Sequence, residues 1–275
     1  MPVIRIGHSP DPDDAFMFYA LTAGKVSIPG VQIQHVLEEI ERLNRRAREG
    51  ELEVTAISAA TYALVADRYR ITDAGASMGK GYGPVLVAKT PLDPREIPER
   101  VVAIPGSHTT AALLLRLYCG DPPVIEVPFD RIPHAVLEEQ AEVGLLIHEG
   151  QITHQAQGLQ TVLDLGKVWE RETGLPLPLG INVVRRDLGE DLHRKLSAAL
   201  RDSIAHAYAH EDDALEYAMQ FGRGIDRETC RRFVRMYVND YTLTLGAEGH
   251  RALEALFQLA HANGLISEIP PIDPL

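Results

Sequence analysis

Two kinds of residue in this chain could do chemistry: acids and a histidine that could move protons, and hydroxyls that could hold an anion. Asp11, Asp13 and Asp14 place three carboxylates within four positions of Ser9-Pro10-Asp11-Pro12-Asp13-Asp14. Acids stabilise the first turn of any helix and Pro12 suits that turn, so Asp11 and Asp13 also have an ordinary structural reading. Asp14 precedes the apolar run Ala15-Phe16-Met17-Phe18-Tyr19-Ala20 and could reach a ligand hydroxyl or orient a base. His148 follows the apolar stretch Val143-Gly144-Leu145-Leu146-Ile147. The tip of a buried strand is where α/β enzymes place catalytic groups. With eleven histidines in the chain, a surface position at a strand end is the competing reading.

The hydroxyls sit at two strand-to-helix junctions. Ala56-Ile57-Ser58 closes one apolar run, and Gly106-Ser107-His108-Thr109-Thr110-Ala111 follows another. A helix N-terminus carries unpaired N–H groups and a partial positive charge, which suits a carboxylate or phosphate. Either junction alone reads as a plain N-cap. Two in one chain point to a small anionic ligand held between two lobes.

Other chemistries find no support. His148-Glu149 with His154 is not H-E-x-x-H spacing, so no metal is expected. Gly79-Lys80-Gly81-Tyr82-Gly83-Pro84 is neither a P-loop nor a dinucleotide fingerprint, and no cofactor is expected. That turn reads as a crossing between lobes, with Lys80 a candidate partner for a substrate acid. There is no G-x-S-x-G elbow for a serine hydrolase. The formal charge of −12 argues against nucleic acid and anionic membrane as partners. No apolar run approaches the roughly 18 residues a bilayer span requires. Cys119 and Cys230 form no C-x-x-C pair. The chain enters a strand at Val3 without a leader pattern, so a cytoplasmic location is expected.

These residues must be positioned by the surrounding elements. Strand and helix patterns alternate from Val3 to Lys89, with strands expected at 3–9, 31–37, 54–58, 71–76 and 84–89 and helices at 14–23, 38–48 and 59–66. The segment 90–98 is proline-rich and reads as a linker. A second series follows, with helices expected at 110–119, 132–142 and 168–172 and strands at 101–104, 124–128, 143–148 and 159–165. Thr173-Gly174-Leu175-Pro176-Leu177-Pro178-Leu179-Gly180 reads as a hinge, returning the chain through a strand at 181–185. Hinge motion is expected about 88–91 and 179–183. Helices then dominate to the C-terminus. The fold class expected is α/β: two lobes with mixed, mostly parallel sheets and a cleft between them, similar to the type II periplasmic-binding-protein architecture. Residues 1–88 with 183–275 form the first lobe, and 89–182 the second.

The motifs then carry a resemblance over nearly the whole chain. They are Ser9-Pro10-x-Pro12-x-Asp14, Leu43-Asn44, Ile57-Ser58, Gly79-x-Gly81-x-Gly83-Pro84, Pro105-Gly106-x-His108-Thr109-Thr110, Leu146-Ile147-His148-Glu149 and 173–180. Together they resemble the menaquinone-biosynthesis family of the futalosine route, most closely its naphthoate-forming branch. The resemblance implies a cofactor-independent, lyase-type enzyme that converts cyclic dehypoxanthine futalosine to 1,4-dihydroxy-6-naphthoate. It places the general base on His148. Substrate-binding positions fall on Ala56, Ile57, Ser58, Thr110 and Ala111, and cleft-lining polar positions on Asp14 and Asn44; Thr109 joins them from the junction described above. The alternatives are a related enzyme of the chorismate dehydratase type and a solute-binding protein for a small carboxylate. One departure stands out: the family usually reads Ser-Pro-Cys-Pro-Asn-Asp in the first loop, and this chain carries Asp11 and Asp13 instead. Carboxylates beside an anionic substrate disfavour binding unless they point away or pair with a cation.

Overall fold

The computed structural model describes residues 2–274. It contains two mixed sheets. The first is ordered β2 (Gln32–Leu37), β1 (Val3–His8), β3 (Val54–Ser58), β11 (Leu177–Arg185), β4 (Tyr69–Ile71), with β5 (Ser77–Gly79) also paired to β11. The second is ordered β10 (Gln160–Asp164), β6 (Val85–Ala88), β9 (Val143–Leu146), β7 (Val102–Ile104), β8 (Val124–Glu126). β1 runs parallel to β2 and β3, and β7 runs parallel to β8 and β9. The strands that arrive from the other sheet, β6 and β11, run antiparallel to their neighbours. A chain that crosses over enters against the direction of the strands already there.

Sheet membership moves the lobe boundaries from where the sequence pattern put them. β6 lies within the expected first lobe yet pairs in the second sheet, so the chain crosses at the Gly79–Pro84 turn, read as a crossing above, and not at the hinge expected about 88–91. Residues 177–182 lie within the expected second lobe, but the whole of β11 pairs in the first sheet. The 179–183 segment is a paired strand and not a free hinge. Pro178 is tolerated there because the ladder to β5 slips in register between Pro178 and Gly180. Trp169, fully buried on α6 (Leu165–Thr173), donates its Nε1 proton to the carbonyls of Leu175 and Pro176 and ties down the turn before β11.

Local differences have simple causes. The run after Ser58 forms a 3₁₀ helix, Ala59–Leu64, rather than the expected α-helix. The expected strand at 71–76 splits into β4 and β5, because Thr72 turns back to bond Asn182 and Ala74 carbonyls. The helix expected at 132–142 stops at Leu137, where Glu139 takes a left-handed backbone. α3 (Thr110–Cys119) matches its expected bounds.

The helix after β1, α1 (Pro12–Thr22), is buried along almost its whole length. It is covered by α7 (Glu190–Ala209), α8 (Glu211–Met219) and α9 (Arg227–Tyr237), which share its apolar cluster. This explains why Ala15–Phe18 shows no amphipathic stripe: a helix enclosed on all sides needs no polar face. Cys119 and Cys230 are free, buried thiols. No helix among the described residues is long and apolar enough to cross a membrane.

Candidate active site

The chain leaves β1, β3, β7 and β9 toward one cleft of about 670 Å³ including its mouth. This is the crevice at strand carboxyl ends where open α/β sheets bind ligands. Asp14, Ala56, Ile57, Ser58, Thr109, Thr110, Ala111 and His148 all line it. Asn44, on α2 (Ile40–Glu49), does not. It lies fully buried behind Ser58, where its Oδ1 accepts from the Ser58 N–H at 2.8 Å and its Nδ2 donates to Ser58 Oγ at 3.1 Å. Lys80 is exposed and not part of the lining.

The hydroxyls differ in what they have left to offer. Thr109 caps α3, accepting from Ala112 N at 3.1 Å and donating to Gly106 O at 2.8 Å. Thr110 Oγ1 donates to Leu179 O at 2.8 Å and accepts from Ala60 N at 3.1 Å. Both threonines line the cleft as expected, with the Thr109 hydroxyl engaged in capping α3 and the Thr110 hydroxyl in joining α3 to Ala60 and β11. Ser58 Oγ only accepts, from Asn44, and keeps its own proton to donate. The N–H groups of Thr110 and Ala111, first in α3, lie where a helix has no acceptor of its own. One serine proton and two N–H groups are thus the donors left free at this end of the cleft.

The acid end is arranged differently. Asp11 is the N-cap of α1 and Pro12 its first residue. Asp11 Oδ1 accepts from Asp14 N at 3.3 Å, and Asp14 Oδ2 accepts from Ser9 N at 2.6 Å. Asp11 and Asp13 do not point away from the cleft; they line it. His148 lies two residues beyond β9 with a left-handed backbone, φ 52°, a conformation that non-glycine residues rarely take. This turn aims its ring across the cleft, where Nδ1 lies 3.3 Å from Asp11 Oδ2. Phe129 packs against the ring at 4.6 Å, and the Arg223 guanidinium covers Phe129 at 4.5 Å while pairing with Glu149. His148 Nε2 and Asp13 Oδ1 are buried and have no partner.

Burial raises the Asp11 carboxyl, but His148, with hydrogen bonds from Asp13, Ser9 and the Asp14 N–H, outweighs it, and Asp11 lies below its usual range. Asp13 is pushed well above its usual range by burial and then by the neighbouring Asp11 and Asp14 charges. Asp14 is pushed well above by burial and by Asp11. Of the three, Asp11 is the one whose surroundings favour the ionised form. Donor atoms of Asp11, Asp13 and His148 lie within 4.8 Å of one another, close enough to hold a cation. Spacing along the chain could not reveal this set, because the fold assembles it from opposite sides of the cleft. Sequence reasoning also missed Ser9, Ser77, Gln151, Asn182 and Tyr237 in the lining. Gln151 lies three residues past His148 and was within reach; Tyr237, at the end of α9, carries no signal.

Comparison with known proteins accounts for this arrangement. A profile described as menaquinone biosynthesis matches residues 4–262. The chain belongs to the menaquinone-biosynthesis family. It is 46% identical to a Thermus thermophilus protein named 1,4-dihydroxy-6-naphthoate synthase, covering 98% of both chains. A solved structure of an Archaeoglobus fulgidus protein is 52% identical, with a TM-score of 0.92 over 96% of this chain and 98% of that one. The alkanesulfonate-binding protein SsuA from Xanthomonas axonopodis, bound to MOPS, shares the fold with a TM-score of 0.75 at 11% identity, over 98% of this chain and 96% of that one. The family member thus has a periplasmic-binding-protein-like fold, and its cleft lies where the two sheets face each other.

Proposed function

We propose that this chain is a lyase acting as a 1,4-dihydroxy-6-naphthoate synthase, converting cyclic dehypoxanthine futalosine to 1,4-dihydroxy-6-naphthoate in the cytoplasm, with His148 as general base. The observation that carries the reading is the buried, unpartnered Nε2 of His148, a residue that lines the same cleft as Ser58, Thr110 and Ala111. The substrate carboxylate rests on those donors. The neutral imidazole removes a substrate proton at Nε2, the bond to the ribose-derived fragment breaks, and formation of the aromatic ring drives the step forward. Asp14, held by the Ser9 N–H and favoured in its protonated form by burial, orients a hydroxyl of the sugar-derived part. The reading requires no cofactor. The two sheets close on the ligand about the Gly79–Pro84 turn and the segment before β11.

The test is direct. Purified protein is incubated with cyclic dehypoxanthine futalosine while the naphthoate chromophore is followed. Product formation supports the reading. Tight binding of small aromatic acids with no turnover overturns it in favour of a carboxylate-binding protein, and turnover of chorismate instead reassigns the chain to the dehydratase type.

A further inference from the structure

We propose that Asp11 is the positioning residue of His148, holding the imidazole with its proton on Nδ1 so that the unprotonated Nε2 faces the substrate. The inference rests on the reading of His148 as base and adds a residue to it.

Geometry gives each Asp11 oxygen a separate task. Oδ1 caps α1 by accepting from Asp14 N, and Oδ2 faces His148 Nδ1 at 3.3 Å. A carboxylate can only accept at that contact, so Nδ1 must be the donor, and in the neutral ring Nε2 is then the free lone pair. The ring cannot swing away easily. Phe129 lies against it, Arg223 lies over Phe129, and the backbone at His148 is held at φ 52°. Asp11 itself is 1% exposed, so water does not compete for Oδ2. Asp13 lies beside the same carboxylate, with donor atoms of Asp11, Asp13 and His148 all within 4.8 Å of one another. The result is a chain of three groups, Asp13–Asp11–His148, ending on an orphan nitrogen in the cleft. It also bears on the objection raised by the sequence: Asp11 Oδ2 is directed at the histidine rather than at the substrate.

Asp11→Asn is the informative change because Asn retains the N-cap. With its oxygen on Asp14 N, its amide nitrogen faces His148 Nδ1 and donates to it. The neutral ring must then carry its proton on Nε2, the wrong nitrogen for a base. The same logic in the serine-protease triad costs about 10⁴-fold in kcat. Here kcat is expected to fall about 10²–10⁴-fold with KM changed only a few-fold.

Protein labelled with ¹⁵N at histidine, assigned with His148→Asn, reports the tautomer directly at alkaline pH and without substrate. The expected spectra show Nδ1–H at His148 in the wild type and Nε2–H in Asp11→Asn, with the fold confirmed by an unchanged far-UV spectrum. An Nε2–H tautomer in the wild type overturns the proposal, as does wild-type kcat in Asp11→Asn. Loss of turnover on chelation, restored by Mg²⁺, Mn²⁺ or Zn²⁺, also overturns it, because a cation would then sit where the shared proton is placed. A His148→Asn enzyme with full turnover removes the base reading alone; the tautomer spectra still decide the role of Asp11.

Discussion

The two ends of the cleft are both polar, yet they differ in what their polar atoms are doing. At the hydroxyl end, Thr109 and Thr110 each donate one hydrogen bond and accept another within the protein. At the acid end, buried atoms of Asp13 and His148 have no partner at all. Buried polar groups are nearly always paired, because leaving one unpaired costs about 1–3 kcal/mol. Orphans in a cavity lining, which also include atoms of Ser9, Gln151, Asn182 and Tyr237, are the arrangement that a ligand completes, whereas a satisfied hydroxyl belongs to the architecture. Residue type marks both ends equally in the sequence; only the hydrogen-bond partners separate them.

The sharpest way to break this contrast is His148→Asn. It keeps size and hydrogen bonding but removes the base, so kcat should fall about 10²–10⁴-fold while ligand affinity survives. Near-normal turnover would sink the assignment of the acid end to chemistry. Ser58→Ala comes next, since its proton is a hydroxyl donor left free at the other end. Loss of a hydrogen bond to a charged group should weaken carboxylate binding by about 1.5–3 kcal/mol, read by calorimetry. Thr110→Val tests the opposite character. It strands the Leu179 carbonyl and the Ala60 N–H, so about 1–3 kcal/mol of unfolding free energy should disappear in a denaturant titration. The loss should fall on stability, because the Thr110 N–H is retained. A purely affinity effect from Thr110→Val, with stability intact, would show that the two ends are not distinguished by hydrogen-bond saturation.

Much of this is legible in the sequence, and the parts that are not share a cause. The α/β rhythm, α3 and the strand ends leading to Ser58 and His148 follow from local periodicity and capping. The lobe boundaries do not, because strand membership depends on partners far along the chain. β6 reads as the end of one βα series and pairs in the other sheet, while 177–180 reads as a Pro/Gly hinge and pairs as a strand. Asn44 reads as a polar residue of the cleft wall, and the fold turns that polarity onto Ser58. Asp11 reads as a departure that threatens substrate binding. Its true neighbour, His148, is brought to it only by closure of the two sheets against each other, a relation no local pattern encodes.

The smallest expected effect concerns Asp13 and is a matter of pH. Its carboxyl is pushed well above the ordinary value by burial first and by the Asp11 and Asp14 charges second. A raised folded-state pKa means that the folded chain holds this proton while the unfolded chain has lost it. The stabilisation is complete below the unfolded value, near 3.8, and is lost as pH rises from there through the folded value. Asn at position 13 carries no such penalty, because it is neutral at every pH. Asp13→Asn should therefore unfold much like the wild type at about pH 4 and become the more stable of the two as pH rises. The advantage of Asp13→Asn should therefore grow with each step in pH from about 4 to about 8. Paired denaturant titrations across that range measure it. An Asp13→Asn advantage that stayed constant with pH would mean that Asp13 ionises freely in the folded protein, and the acid end would then be as fully satisfied as the hydroxyl end.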